Sequence, residues 1–339
     1  MKYSFRNDYS EMAHPKIFEA LTAVGSKQFN AYGLDEYSID AASLIRGIFK
    51  TVDADIHFIS GGTHANLVVI SSALRPHEAV IAAKSGHICV HEAGAIEATG
   101  HKICTRDGIN GKLSAADIVS VLDEHAGDEH MVKPRLVYIS SPSECGTVYT
   151  KSELTAISAV CRDNNLYLYI DGARLGAAIN SPVCDLNYED IACLSDVFFI
   201  GGTKNGALFG EAIVICNDEL KRDFRFLLKQ RGALLAKSAA IGLQFKTLFT
   251  DGLYDELAAY SNSKAFKLAD GIKRRGYSFL YPVETNMIIP VLPVNVAEKL
   301  HNLYEFYDWQ KMDDMIAVRL LTSWATSDEK INGFIAALI

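Results

Sequence analysis

At 339 residues, 49% of them hydrophobic and 22% charged, the chain can bury a sizeable core and reads as one large domain with a smaller second one. Its net charge of −8 is spread without a basic stripe, which argues against a nucleic-acid partner, and no apolar run has the length of a signal-peptide core at its start or of a membrane span anywhere. The seven cysteines are scattered without a CxxC pair or metal-finger spacing, so the expectation is reduced thiols in a cytoplasmic protein and no metal site.

Short apolar runs at 56–59, 79–83, 102–105, 136–140, 166–170, 197–200 and 212–216 read as strands. Helical patterns lie between several of them, among them 114–125 and 152–163, each opening with a capping residue. This alternation predicts an α/β fold, a mostly parallel seven-stranded sheet covered by helices on both faces. Residues 209–216 are too few to hold a crossover helix, so the seventh strand is expected to return antiparallel. Beyond residue 218 come long helices at 219–229 and 235–274. Strand-like pieces follow at 277–281, 286–290 and 316–321, then a closing helix, the pattern of a small C-terminal α+β domain. The expected division is an N-terminal segment 1–30, a large domain 31–250 and a small domain 251–339.

Ligands of an open parallel sheet bind beyond the carboxyl ends of its strands, and the polar features of this chain fall there. Gly61-Gly62-Thr63 turns a strand into a helix, where free amides and a hydroxyl can hold a phosphate. Asp171 ends the apolar strand of "LYLYIDGARLG", either paired with Arg174 three residues on or facing a protonated ring nitrogen. His87, in "KSGHICVHEAGA", is a structural histidine or one that stacks on a flat ligand; Glu92 is a helix-start charge or a hydrogen-bonding group of the site. Arg319 interrupts an apolar strand, in a salt bridge or as a receptor for a substrate carboxylate. Lys204 sits in "FFIGGTKNGALFG" past a buried strand, a surface lysine or an amine poised for a carbonyl. Together these residues fit one cofactor, pyridoxal 5′-phosphate, with Lys204 on its aldehyde, Gly62 and Thr63 on its phosphate and Asp171 on its ring nitrogen.

The stretches "NDYSEMAHPKI", "NAYGLDEYS", "SGGTHANLVV", "HEAGAIEATGHKI", "GTVYT", "DGARLGAA", "GGTKNG" and "VRLLTSW" resemble the threonine aldolases. These belong to the fold type I, aspartate aminotransferase-like pyridoxal phosphate enzymes. The resemblance implies Lys204 as the Schiff-base lysine, Asp171 on the pyridine nitrogen and His87 stacked on the ring. It places Gly61 and Thr203 among the cofactor contacts. Arg174 and Arg319 match positions that hold cofactor and substrate carboxylate, Tyr32 a residue near the substrate, and Asn7 a serine near that carboxylate. Where many relatives carry a histidine close to the β-hydroxyl, the loop "SSPSECG" has Glu144, so Glu144, His87, His91 or a bound water is the candidate base. Lys237 stands where relatives place an arginine that reaches the neighbouring subunit's phosphate.

The expected activity is Cα–Cβ cleavage of a β-hydroxy-α-amino acid to glycine and an aldehyde, threonine or allo-threonine being the default substrate. β-Elimination and transamination on the same frame are the nearest rivals. A non-catalytic binding module is the rival from another class, opposed by the joint presence of Lys204, Asp171 and Arg319. The apolar content of "LLKQRGALLAKSAAIGLQF" exceeds one helix face, predicting a contact beyond the chain's own core. The resemblance implies a homodimer or homotetramer with shared sites.

Overall fold

The structure is a computed structural model describing residues 2–338. Its first strand, β1 (Tyr3–Ser4), lies in a short parallel pair with β12 (Tyr304–Glu305), near the other end of the chain. Phe5 continues this connection, its N–H donating to Glu305 O at 2.8 Å and its carbonyl accepting from Leu321 N at 2.9 Å. The N-terminal segment is therefore threaded into the C-terminal part of the fold.

The main sheet contains β2 (Asp55–Ile59), β3 (Glu78–Ala83), β4 (Ile103–Arg106), β5 (Lys133–Ser140), β6 (Tyr167–Gly172), β7 (Val197–Gly201) and β8 (Glu211–Ile215). Their order is β2-β8-β7-β6-β5-β3-β4, and β8 alone runs against its neighbours. The antiparallel return after "FFIGGTKNG" is thus where the short connection required it. β3, β6, β7 and β8 are buried along their whole length because helices cover both faces, which is why they read as continuous apolar runs rather than alternating ones. One apolar cluster lies on each face of this sheet.

Two expected helices are broken in the structure. The 219–229 pattern becomes Asp218–Lys221 and Phe224–Gln230, divided at Asp223, whose φ of 58° is left-handed. The 235–274 pattern becomes Ala239–Phe249 and Leu253–Arg274, divided at Asp251 and Gly252, with φ of 53° and 72°. Apolar periodicity carries across both breaks and hides them, whereas Asp and Gly are the residues that tolerate this conformation. The helix expected at 152 begins one residue earlier, with Thr150 and Glu153 forming a capping box.

Helix Ala239–Phe249 is buried by the chain itself: Ile241, Phe245 and Leu248 are fully enclosed, packed into the cluster that holds Ala41 and Ile45 of helix Glu36–Phe49. Its apolar residues are accommodated there by the chain's own core.

The remaining strands, β9 (Ser278–Phe279), β10 (Met287–Ile288), β11 (Pro290–Pro293), β13 (Tyr307–Met312) and β14 (Met315–Leu321), form a second, antiparallel sheet. β13 was not expected, because "YDWQKM" is a largely exposed edge strand without an apolar run. A third apolar cluster, with Phe5 among its members, fills the space between this sheet and the helices Leu253–Arg274 and Asp328–Ala337.

Candidate active site

The carboxyl ends of β2, β3, β5, β6 and β7 open onto one cavity of about 450 Å³. Of the residues singled out in the sequence, Gly61, Gly62, Thr63, His87, His91, Glu144, Arg174, Thr203, Lys204 and Arg319 line it. Asp171 lies directly behind the lining residue Ala173, whose N–H it accepts at 3.0 Å. Asn7, Tyr32 and Lys237 do not line it.

Lys204 reaches this space because β7 ends in glycines. A side chain at Gly201 would place its Cβ 2.1 Å from Ala173 O, so only glycine lets the end of β7 press against the end of β6. The amine has no hydrogen-bond or ion-pair partner among the described residues; its nearest aromatic neighbour is the Tyr9 ring, 6.0 Å away. Burial, and then the Arg174 guanidinium, lower its pKa against the opposing pull of Asp8, Glu144 and Asp171. An amine so placed has a raised neutral fraction, the form that attacks a carbonyl.

Asp171 is not paired with Arg174. The register of β5 on β6 sets Tyr138 beside Tyr169 and Ser140 beside Asp171, so these side chains share one face. Tyr138 OH donates to Asp171 Oδ2 at 2.6 Å and Asn66 Nδ2 donates to the same oxygen at 3.1 Å. Asn66 is held in turn by Tyr169 OH, 2.8 Å from its Oδ1. Three donors thus stabilise a buried carboxylate while Oδ1 keeps room for a further one.

Arg174 turns instead to Asp8, with Nε at 2.6 Å from Oδ2 and Nη2 at 3.0 Å from Oδ1. Asn286 Nδ2 donates to Asp8 as well, at 3.0 Å. Burial opposes ionisation of Asp8, but Arg174 and Lys204 outweigh it and lower its pKa. Asn7, the neighbouring residue, uses its side chain locally, accepting from Tyr9 N and Ser10 Oγ. Arg319, on β14, faces Tyr307 on β13 and lies over its ring at 4.9 Å. Its Nε is buried with no hydrogen-bond partner among the described residues. Burial and Arg174 lower the Arg319 pKa, leaving a guanidinium in need of an anion.

His87 Nδ1 lies 2.7 Å from Glu92 Oε1, which also accepts from Asn66 at 2.6 Å. Burial opposes the charged imidazole, yet Glu92, Glu144 and Asp171 outweigh it and raise its pKa. Glu92 is therefore a hydrogen-bonding group of the site. His91 differs: partial desolvation lowers its pKa, and its ring lies 5.5 Å from that of His87. The carboxylate of Glu144, in a buried residue, has no hydrogen-bond partner among the described residues and faces the same space.

Tyr32 and Lys237 lie together elsewhere. Tyr32 N donates to Ala236 O at 3.3 Å, Arg225 donates to Tyr32 O at 3.1 Å, and Lys229 Nζ stands 4.6 Å from the ring. Both residues are exposed, and neither lines this cavity.

The cavity fits the expected cofactor. Helix Gly62–Ala73 has no side-chain cap, and a Cβ at Gly61 would meet nothing within 4 Å, so its amide dipoles face open space. An unpartnered amine, an unpartnered guanidinium nitrogen and a carboxylate with a spare acceptor surround that space. Sequence reasoning did not single out Asn66, Tyr138, Tyr169, Asp8 or Glu211. A usable signal existed for three of them: Asn66 is one turn past Gly62 in an apolar helix, and the tyrosines of "LVYIS" and "LYLYID" are polar tips inside buried strands.

A sequence model of the family described as "Beta-eliminating lyase" matches residues 14–294. The chain is 32% identical to a low specificity L-threonine aldolase of Pseudomonas sp. over 331 residues, covering 96% of this chain and 94% of that one. The corresponding protein of Pseudomonas aeruginosa is 30% identical over the same share of each chain. A solved structure of Leishmania major threonine aldolase superposes with a TM-score of 0.97 at 48% identity, covering 99% of this chain and 98% of the other. An aspartate aminotransferase of Thermus thermophilus shares the fold, with a TM-score of 0.75 at 13% identity over 99% and 90% of the two chains.

Proposed function

We infer the reaction from one premise: the chain belongs to the beta-eliminating lyase family. It is a pyridoxal phosphate-dependent aldolase that cleaves threonine and allo-threonine between Cα and Cβ, giving glycine and acetaldehyde. The observation that carries this reading is the meeting of an unpartnered lysine, an open helix N-terminus and an anion-seeking guanidinium in one cavity.

Lys204 would hold the aldehyde carbon of the cofactor, Gly62 and Thr63 its phosphate, Asp171 its ring nitrogen and His87 its ring face. Bound there, pyridoxal phosphate supplies the electron sink for the pair released when Cα–Cβ breaks. Arg319 receives the substrate carboxylate through its guanidinium, and Arg174 contributes the N–H groups that Asp8 leaves over. Holding the carboxylate at a fixed place would limit how the substrate can turn and so select which bond at Cα is broken. The Glu144 carboxylate accepts the β-hydroxyl proton, the step that sends the electrons of the O–H bond into the forming carbonyl. Glu144→Gln is expected to lower kcat for threonine on the order of a hundredfold while leaving cofactor affinity in place. Equal kcat in the two proteins would move that proton to His87, His91 or a bound water.

Assays of glycine and aldehyde release from threonine, allo-threonine and phenylserine, with pyruvate and keto acids followed alongside, test the reaction. Glycine and aldehyde in equal amounts are expected; pyruvate or a keto acid as the main product would refute the aldolase reading. The proposal includes a cytoplasmic location, a cofactor domain at 31–250 and a small domain at 251–339. Among the described residues no helix is long and apolar enough to cross a membrane. It also includes a dimer or larger assembly with shared sites, supported by the exposed apolar side chains of Met12, Phe29, Leu34 and Ile39. In it Tyr32, Lys237 and their common surface face the partner's cavity.

A further inference from the structure

Glu211 has no part in the roles above. It opens β8, the reversed strand, and its register sets it opposite Gly201 of β7 on one side and Ile59 of β2 on the other. Those residues lead directly into the Lys204 loop and the Gly61-Gly62-Thr63 turn. The buried side chain lines the cavity at this end, between the two loops.

Its Oε2 accepts the Gly202 N–H at 2.8 Å, and the Thr203 hydroxyl lies beside its carboxylate, where it can donate. Thr203 Oγ1 accepts the Gly210 N–H at 3.0 Å. The titratable groups facing Glu211 are Lys204 from the loop, Asp171 and Tyr169 from β6, and Tyr254 from helix Leu253–Arg274. Burial raises the carboxyl pKa to about 7, although Thr203, Gly202 and Lys204 each pull it down.

A carboxylate at this place faces a difficulty once a phosphate occupies the open helix end. Two anions with little water between them repel strongly, and the ionised Glu211 also holds the one proton of the Thr203 hydroxyl. Protonation removes both obstacles. A neutral carboxyl can donate to Thr203 Oγ1, which frees the threonine hydroxyl to turn into the cavity.

Resting on the pyridoxal phosphate reading above, we infer that Glu211 takes up a proton when the phosphate group binds, transferring the Thr203 hydroxyl bond from its own carboxylate to the phosphate. The balance is simple: one proton from solvent joins one carboxylate oxygen, the Thr203 hydrogen bond changes acceptor, and binding of the phosphate group itself makes or breaks no other covalent bond. Glu211 is thus a positioning residue that couples cofactor retention to pH. Above the range in which it is protonated in the empty site, binding has to draw a proton from solution, so affinity falls as pH rises.

The test uses apoenzyme titrated with inorganic phosphate and with pyridoxal 5′-phosphate from acid to alkaline pH, in wild type and Glu211→Gln. Ionisation of the probes is common to both proteins and cancels in the ratio of their Kd values. That ratio is expected to be flat in the acid range, then to rise toward about tenfold per pH unit on the alkaline side. A ratio independent of pH overturns the inference. Wild-type protein offers a second reading that needs no variant: binding of inorganic phosphate at mildly alkaline pH should add a protonated-carboxyl stretch to the infrared difference spectrum. Its absence overturns the inference equally. Failure of wild-type apoenzyme to bind either probe at any pH would instead overturn the pyridoxal phosphate reading, and this inference with it.

Discussion

Lys204→Ala is expected to abolish multiple turnover of threonine, a fall of at least about ten-thousandfold in kcat, in a protein that stays folded. The fold should survive because the amine has no hydrogen-bond or ion-pair partner among the described residues, so its removal leaves no group unsatisfied. The variant should lack the visible absorption of the bound cofactor, and borohydride should fix no cofactor to residue 204. In wild type the same reduction should label Lys204; label on another lysine would sink the assignment. The variant also tests assembly. Mixed with inactive Lys237→Glu chains, it should regain part of the activity, because some hybrid cavities would hold both an intact Lys204 and an intact partner Lys237. Subunits shown to exchange without any recovery would rule out a shared site.

Asp171→Asn is expected to reduce turnover on the order of a thousandfold, about 4 kcal/mol of transition-state stabilisation. The reason is electrostatic: a buried negative charge favours a proton on the facing ring nitrogen, and an amide of the same shape does not. The side chain can still accept from Tyr138 and Asn66, the donors that reach Oδ2, so the change tests charge more than packing. Steady-state kinetics with threonine separates the outcomes. A lowered kcat with little change in KM supports the role. Unchanged kcat would reduce Asp171 to a structural acceptor for those two donors.

Much of this architecture is legible in the linear chain. Seven apolar runs mark the strands of the main sheet, and the short span from Ile200 to Glu211 dictates the one antiparallel return, because no crossover helix fits there. Lys204, Asp171, His87, Thr63 and Arg319 stand out for a local reason: each is a polar residue at the end of an apolar run or inside one, where a charge is costly without a use. The helix breaks at Asp223 and Asp251 were harder to see, since the apolar pattern on either side stays in phase.

Pairing is what the tertiary structure alone decided. Asp171 and Arg174, three residues apart, look like an ion pair in the sequence. In the fold, Asp171 is turned inward to Tyr138 and Asn66, while Arg174 takes a carboxylate 166 residues away, because β1 and Phe5 anchor the N-terminal segment to β12 and β14 and bring Asp8 within reach of Arg174. Glu211 reads as the first residue of an apolar strand, and only the register of β8 on both β7 and β2 places it between the lysine loop and the phosphate turn. Strand formation depends on residues a few positions apart and can be read locally. Which carboxylate meets which cation depends on strand order and register, set by burial summed over the whole chain.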